Sequence, residues 1–452
     1  MLGSCSNDDI AATSGTPGVG NGIGLVPIEL ALNGPSVSVE KRKIGTVGDI
    51  EGQETNKWMG EKLYILMMQR SKTDNSKTNK WDFSAWSYLS AAGSASDDPN
   101  IDDSQYDGVT DEHKDPTATI VNFPNIQVTA PSDTATGSLS WAEEKSPKYY
   151  PGGGTHDFFA YNIDDAATIY TNTVWKANKT DLTANKDFMV RDSLVLGETK
   201  MKYVWFKIDG SQDLMTGVAD NPGAEENEGK NMGFSAQTAR AGIKPVIDMK
   251  HLLTRFTFTV QAGAESAVNL KVTNIAVKSK TTGKMIVAYD LADGEFKPES
   301  MLEWTLPTGS EPPTEEPAKL YLKSRSAANT AVTDLEAVTI KEGVGQEPGK
   351  TYEKQPIGHA LMVAPGEAKY TMYITLEQSF NDHDQDHEAK GEVTLEKDID
   401  LTKGGTEMGA TAKAGSSYAV NVKVYGMAEI EVDAKLTGWE NGGDLEVDTN
   451  VN

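Results

Sequence analysis

In this 452-residue chain, a lone cysteine and a cluster of histidines with aspartates are the positions whose types and spacing could do chemistry. Cys5, the single cysteine, follows Leu2-Gly3-Ser4 and precedes Ser6-Asn7-Asp8-Asp9. This is the pattern of a lipobox, at which a lipoprotein precursor is cut and its thiol acylated, so Cys5 is the expected lipidation site and the chain is expected to start inside a signal peptide. Several acyl chains together anchor stably where one would be marginal. Asn381-Asp-His-Asp-Gln-Asp-His387-Glu offers two histidines and three aspartates, ligand types for a divalent cation. It lies between two strand patterns, and no second ligand cluster can be placed beside it. A solvated hairpin loop is therefore expected, with no metal and no cofactor.

Other candidates carry less. His251 has no Ser or Cys nucleophile with an activating partner, so it is expected to be packed or capping rather than a base. Gly152-Gly-Gly154 is followed by neither Lys-Ser/Thr nor a helix, which rejects a phosphate loop. Trp81, Trp86, Trp141, Trp175 and Trp205 could stack sugars but are more simply core residues. Asp133-Thr-Ala135 and Asp192-Ser-Leu194 have the form of O-glycosylation tripeptides, a degenerate pattern. No catalytic residues emerge, and the chain is not expected to be an enzyme.

The elements that must position these residues are strands. Val26, Ile28, Leu30 and Leu32 share one face while Pro27, Glu29 and Asn33 take the other, the period of a half-buried strand. Pro27 cannot donate to a ladder, which puts this strand at an edge or its start outside the pairing. The alternation returns at Phe256, Phe258 and Val260, at Tyr370 to Leu376, at Val420 to Val424, and at Ile430, Val432, Ala434 and Leu436. Leu63 to Met68 and Tyr203 to Ile208 are denser runs, expected to be buried strands. The apolar register of Val268, Leu270 and Val272 shifts to Ile275 and Val277, predicting a bulge or an end of pairing at Asn274. Residues 82–92 and 248–253 are the best short helix candidates. The fold class is mainly β, and many short strands with turns between them favour sandwiches.

Residues 1–24 form a truncated signal, lipobox and flexible tether. The polar, turn-rich stretch 219–245 divides the rest into an N-terminal unit, 25–240, and a C-terminal unit, 241–452. Residues 94–118 and 307–317 are expected to be long surface loops. With 42 Lys+Arg against 67 Asp+Glu the formal charge is -25, which disfavours nucleic acid and anionic membranes as partners. One cysteine forms no internal disulfide. No apolar run reaches the ~20 residues of a membrane span, so attachment would be through the lipid alone.

Taken together, the lipobox, the strand Val26 to Leu32, Trp58-Met-Gly-Glu-Lys-Leu-Tyr-Ile65, His251-Leu-Leu-Thr-Arg-Phe-Thr-Phe258, Leu361-Met-Val-Ala-Pro-Gly366, Gly415-Ser-Ser-Tyr418 and the close at Gly438-Trp439 resemble the fimbrillin family, the major pilus subunits of Bacteroidales-type bacteria. The resemblance implies two transthyretin-like β-sandwich domains in tandem and export as an outer-membrane lipoprotein precursor. It also implies removal of the first strand by a trypsin-like processing protease and assembly into a cell-surface pilus when another subunit's strand fills the vacated groove. Here the basic connection Glu40-Lys41-Arg42-Lys43 offers Arg42 as the cleavage residue, with Lys41 and Lys43 as alternatives. The displaced strand would carry Val26, Ile28, Leu30 and Leu32. The strand with Ile430, Val432, Ala434 and Leu436 is the candidate donor, although it could equally be the last internal strand. Partners would be other pilus subunits and a host surface or glycan. A monomeric glycan-binding surface lipoprotein and a tip or anchor subunit are the alternatives.

Overall fold

The computed structural model describes residues 26–33, 58–69, 126–134, 136–141, 149–150, 155–163, 191–196, 199–219, 233–289, 300–304, 317–325, 332–345, 350–381, 388–404 and 411–437. These are nearly all β-sheet, with the short α-helix Ala236–Arg240 and brief 3₁₀ turns.

The largest sheet runs Gly137–Ser138, Ala31–Asn33, Val246–His251, Met215–Ala219, His156–Asn162, Lys62–Gln69, Ile126–Thr129, Ser140–Trp141. Its two ends are consecutive in the chain. Leu32 pairs with Gly137 at one end and Thr129 with Ser140 at the other, so residues 137–141 close the sheet into a ring. Inside lie Ile28, Leu30, Leu32, Trp58, Leu63, Ile65, Phe158, Ile247 and Met249, all buried. Gly217 admits the tight approach of Val246–His251, since a Cβ there would sit 2.5 Å from the Asp248 carbonyl oxygen.

His156–Asn162 is buried along its whole length because both of its faces are covered. Phe158 and Ala160 point into the ring. Phe159 and Tyr161 turn towards a second sheet, Leu302–Glu303, Thr282–Tyr289, Thr199–Lys207, Arg191–Leu196, against which Phe159 meets Tyr289 at 5.4 Å.

The later part of the chain is a two-sheet sandwich. One sheet runs Gln355–Val363, Thr254–Ala262, Ser417–Gly426, Glu429–Thr437; the other runs Ala318–Tyr321, Lys271–Ser279, Lys369–Asn381, Glu388–Asp400. Their inner faces interdigitate, with Phe256 edge-on to Tyr370 of the opposite sheet at 5.1 Å and to its own sheet's Tyr418 at 5.9 Å. The expected bulge is present: pairing with Lys369–Asn381 slips between Val272 and Asn274.

Position 240, expected as a domain boundary, lies in the connection between Met215–Ala219 and Val246–His251, which are neighbours in one sheet. Thr282–Tyr289 likewise pairs back onto Thr199–Lys207. The turn after Thr199–Lys207 reaches the sandwich: the Met362 N–H donates to the Gly210 carbonyl at 2.8 Å, and Gly210 adopts φ +98° where a Cβ would collide with Leu361. Residues 248–253, a helix candidate from sequence, are instead mostly strand, because Ile247, Met249 and His251 alternate inward. In Tyr203–Ile208, expected to be buried, Val204, Phe206 and Ile208 are buried and Lys207 is exposed. Residues 82–92, 94–118 and 307–316 lie outside the described residues.

Candidate functional site

The first strand is held as its alternation dictates. Ile28, Leu30 and Leu32 are at most 2% exposed and face the ring's interior, while Glu29 and Pro27 are exposed. Pro27 escapes the ladder problem by lying ahead of it, in an isolated bridge to Tyr149. At Ala31 and Leu32 the strand has a neighbour on each side, so the edge position raised by Pro27 does not occur. Val246–His251 runs parallel to it, with Ala31 opposite Val246, and Gly137–Ser138 runs antiparallel. The Ala31 N–H donates to the Pro245 carbonyl at 2.9 Å, and the Leu139 and Tyr150 N–H groups donate to Leu30 and Val26 carbonyls at 2.9 Å each. Lys244 and Glu29 pair at the surface at 3.6 Å.

Burying three large aliphatic side chains contributes about 5–9 kcal/mol, the order of a whole domain's net stability. Removing the strand would leave a trough lined by Ile247, Met249, Leu139 and Phe158, all members of the same cluster. It would also unpair one edge of Val246–His251, a ready template for another strand.

The candidate donor, Glu429–Thr437, is already employed. It is the outer strand of its sheet and pairs with Ser417–Gly426 from Ser417↔Thr437 to Gly426↔Glu429. Ile430 is buried, and Val432, Ala434 and Leu436 pack half-buried against the sandwich core. Cys5, Lys41, Arg42 and Lys43 lie outside the described residues, as do 382–387 of the histidine-aspartate loop, Gly152–Gly154, Trp81, Trp86 and Trp175. Among the described residues no group of His, Cys, Asp and Glu could hold a metal ion, and no helix is long and apolar enough to cross a membrane.

Two arrangements carry no signal in the sequence. His251, the last residue of Val246–His251, is buried with its Nδ1 2.7 Å from Asp213 Oδ2. Since a carboxylate only accepts, Nδ1–H donates. The pair sits beside Leu252 and Leu214, whose backbones bond at 2.9 Å, and so pins the passage from ring to sandwich. The second is a cleft of about 110 Å³ at the strand's start, formed by Val26 and Pro27 with Tyr150 and the turn after Ala236–Arg240. Parity in sequence reveals neither, because each joins segments remote along the chain.

No protein-family model matches the chain, and a search of curated proteins finds no match. Among solved structures, a candidate cell-adhesion protein from Bacteroides uniformis overlays 92% of this chain and 98% of its own, at 13% identity and TM-score 0.37. One from Bacteroides ovatus does so over the same shares at 12% identity and TM-score 0.37. The fimbrial anchor protein Mfa2 from Porphyromonas gingivalis overlays 91% of this chain and 98% of its own, at 9% identity and TM-score 0.30. Overlaps this loose carry no argument about role.

Proposed function

We propose that the chain is a structural subunit of a cell-surface pilus, exported as a lipoprotein through Cys5, cut after Arg42 and assembled when another subunit's strand replaces residues 26–33. The observation that supports this most is the first strand itself. It is an outlying segment in sequence, followed by a basic connection, yet its apolar face completes a closed ring. A strand so placed can be exchanged for one of equal alternation without rebuilding the rest. While still tethered, it competes with any incoming strand at high effective concentration, so cleavage is what would open the groove to assembly.

The test is limited trypsin digestion of the purified chain, read by intact mass and electron microscopy. Release of residues up to Arg42 together with growth of polymers is the expected result, and Ala at positions 41, 42 and 43 together should abolish both while leaving the melting temperature unchanged. Protein that keeps residues 25–42, or loses them and stays monomeric at high concentration, would favour an anchor, a tip or a solitary surface lipoprotein. Cys5→Ala in the full precursor should abolish palmitate labelling.

A second role is favoured by a specific observation. Glu429–Thr437 is built into its own sheet along nearly its whole length, and withdrawing it would expose Ile430 and the half-buried face beside it. A chain that can receive a strand but gives none away suits the tip of a pilus. Deleting residues 429–437 separates the roles: a donor would keep its fold and lose polymerisation, whereas an internal strand would lose the fold.

A further inference from the structure

We propose that the outer face of the sheet Ala318–Tyr321, Lys271–Ser279, Lys369–Asn381, Glu388–Asp400 is a docking surface for a second copy of this chain, related by a two-fold axis that runs along the strands. The face carries its charges in two halves. Val277, Leu320, Met372 and Ile399 point into the sandwich core, so the residues beside them in sequence point out. In one half Lys319 stands directly opposite Lys278, and both are exposed. Like charges so placed repel, and the Lys319 ammonium lies instead 3.6 Å over the centre of the Tyr373 ring. In the other half Glu396 stands opposite Tyr373 and Asp398 opposite Thr371, with both acids exposed. The ion pairs of this face sit at its ends, Lys369 with Asp400, and Glu377 with Lys271 and Lys390. Between those ends, no ion pair among the described residues joins Lys278 or Lys319 to a carboxylate.

A face divided in this way is matched by a copy of itself. A uniformly anionic partner would be drawn to Lys278 and Lys319 but repelled by Glu396 and Asp398, and a cationic partner would meet the reverse. A two-fold axis parallel to the strands lays the basic half of each copy on the acidic half of the other, and every favourable contact then occurs twice. An axis across the strands would set lysines over lysines. Aligned strands are also the way two sheets pack face to face. Tyr321, among the few large apolar side chains exposed in the described residues, at 45%, heads the row Tyr321, Ala276, Tyr373, Glu396 and would be covered. Four strands about 4.8 Å apart and four outward rows about 7 Å apart give about 500 Å² on each copy. That is the lower limit for a specific interface, so the dimer is weak. The net charge of -25 repels the copies at a distance, and the two halves attract only at contact.

The test is sedimentation equilibrium of the full, uncut chain at about 100 mM salt, where the screening length is about 10 Å. A monomer–dimer equilibrium with Kd of about 100 µM is expected for a contact of this size. Lys278→Glu with Lys319→Glu reverses the basic half, and Glu396→Lys with Asp398→Lys reverses the acidic half. Each double variant alone should self-associate at least about tenfold more weakly, because like charges then face one another. An equimolar mixture of the two should dimerise at least as tightly as the parent. Both variants remain strongly acidic overall, so attraction in the mixture cannot come from net charge. All four positions are exposed, so melting temperatures should stay close to the parent's, and the milder Lys278→Gln with Lys319→Gln should weaken the dimer in the same direction. A parent that stays monomeric up to about 1 mM, variants that dimerise as tightly as the parent, or a mixture no tighter than either variant alone would each overturn the assignment. The chain is not cut, so none of these outcomes depends on strand exchange.

Discussion

Asp400 and Lys369 face one another across the ladder between Lys369–Asn381 and Glu388–Asp400, 2.7 Å apart. The Lys369 ammonium, with the Thr402 hydroxyl and N–H, holds the Asp400 carboxyl down at about 2. Its folded pKa lies below the unfolded one, so the stability it contributes is complete above about pH 4 and is lost as pH falls through about 2. Urea midpoints should therefore drop between those values, and Asp400→Asn should drop less over the same interval. Salt should shrink the difference, since Lys369 is half exposed. The buried pair His251–Asp213 is a different case, sheltered from water and from screening. Asp213→Ala takes away a hydrogen bond to a charged group and should lower stability by about 1.5–3 kcal/mol. An equal loss in His251→Ala and no further loss in the double variant would show that the two act as one unit.

At the scale of the strand, the first element makes the sharpest contrast between neighbours. Leu30→Ala should cost about 2–5 kcal/mol in the uncut chain by leaving a cavity inside the ring, whereas Glu29→Ala, on the exposed side, should fall within about 0.5 kcal/mol. Both should become silent in protein from which residues 26–42 have been released. These inward and outward positions were legible in the sequence because a strand's period of two writes burial directly onto residue type, as it does for Tyr370, Met372, Ile374 and Leu376. The slip at Asn274 was legible for the same reason. Gly137–Trp141 was not, since two-residue ladders are too short to show a period, yet they close the largest sheet. Residues 248–253 misled because a strand with a buried face and two further leucines at its end, Leu252 and Leu253, imitates a short helical stripe. The division near residue 240 was inferred from polar composition, but composition does not report pairing, and the strand at 246–251 rejoins the earlier sheet. The cleft and the His251–Asp213 pair depend on segments that meet only after folding.

For the whole molecule, a formal charge of -25 makes every copy repel every other. If chains join by exchanging strands, the joining rate of trypsin-treated protein should rise severalfold as salt is raised from about 10 to about 100 mM, where the screening length falls from about 30 to about 10 Å. A rate that falls with salt, followed by light scattering, would point instead to attraction between complementary patches. The parallel course of Ala31–Asn33 beside Val246–His251 bears on how a chain tethered at its amino terminus would carry load. Tension drawn from that end pulls the segment lengthwise, so its ladder bonds and its buried side chains are strained together, in shear, instead of opening one after another. Forced separation of that kind is governed by the rate of crossing a barrier and not by the equilibrium stability. A cut on the far side of Asn33 would leave only the segment's non-covalent pairings and its buried side chains as the mechanical link between tether and body: a fuse that holds against brief tugs, and that yields when a competing strand advances from the severed end.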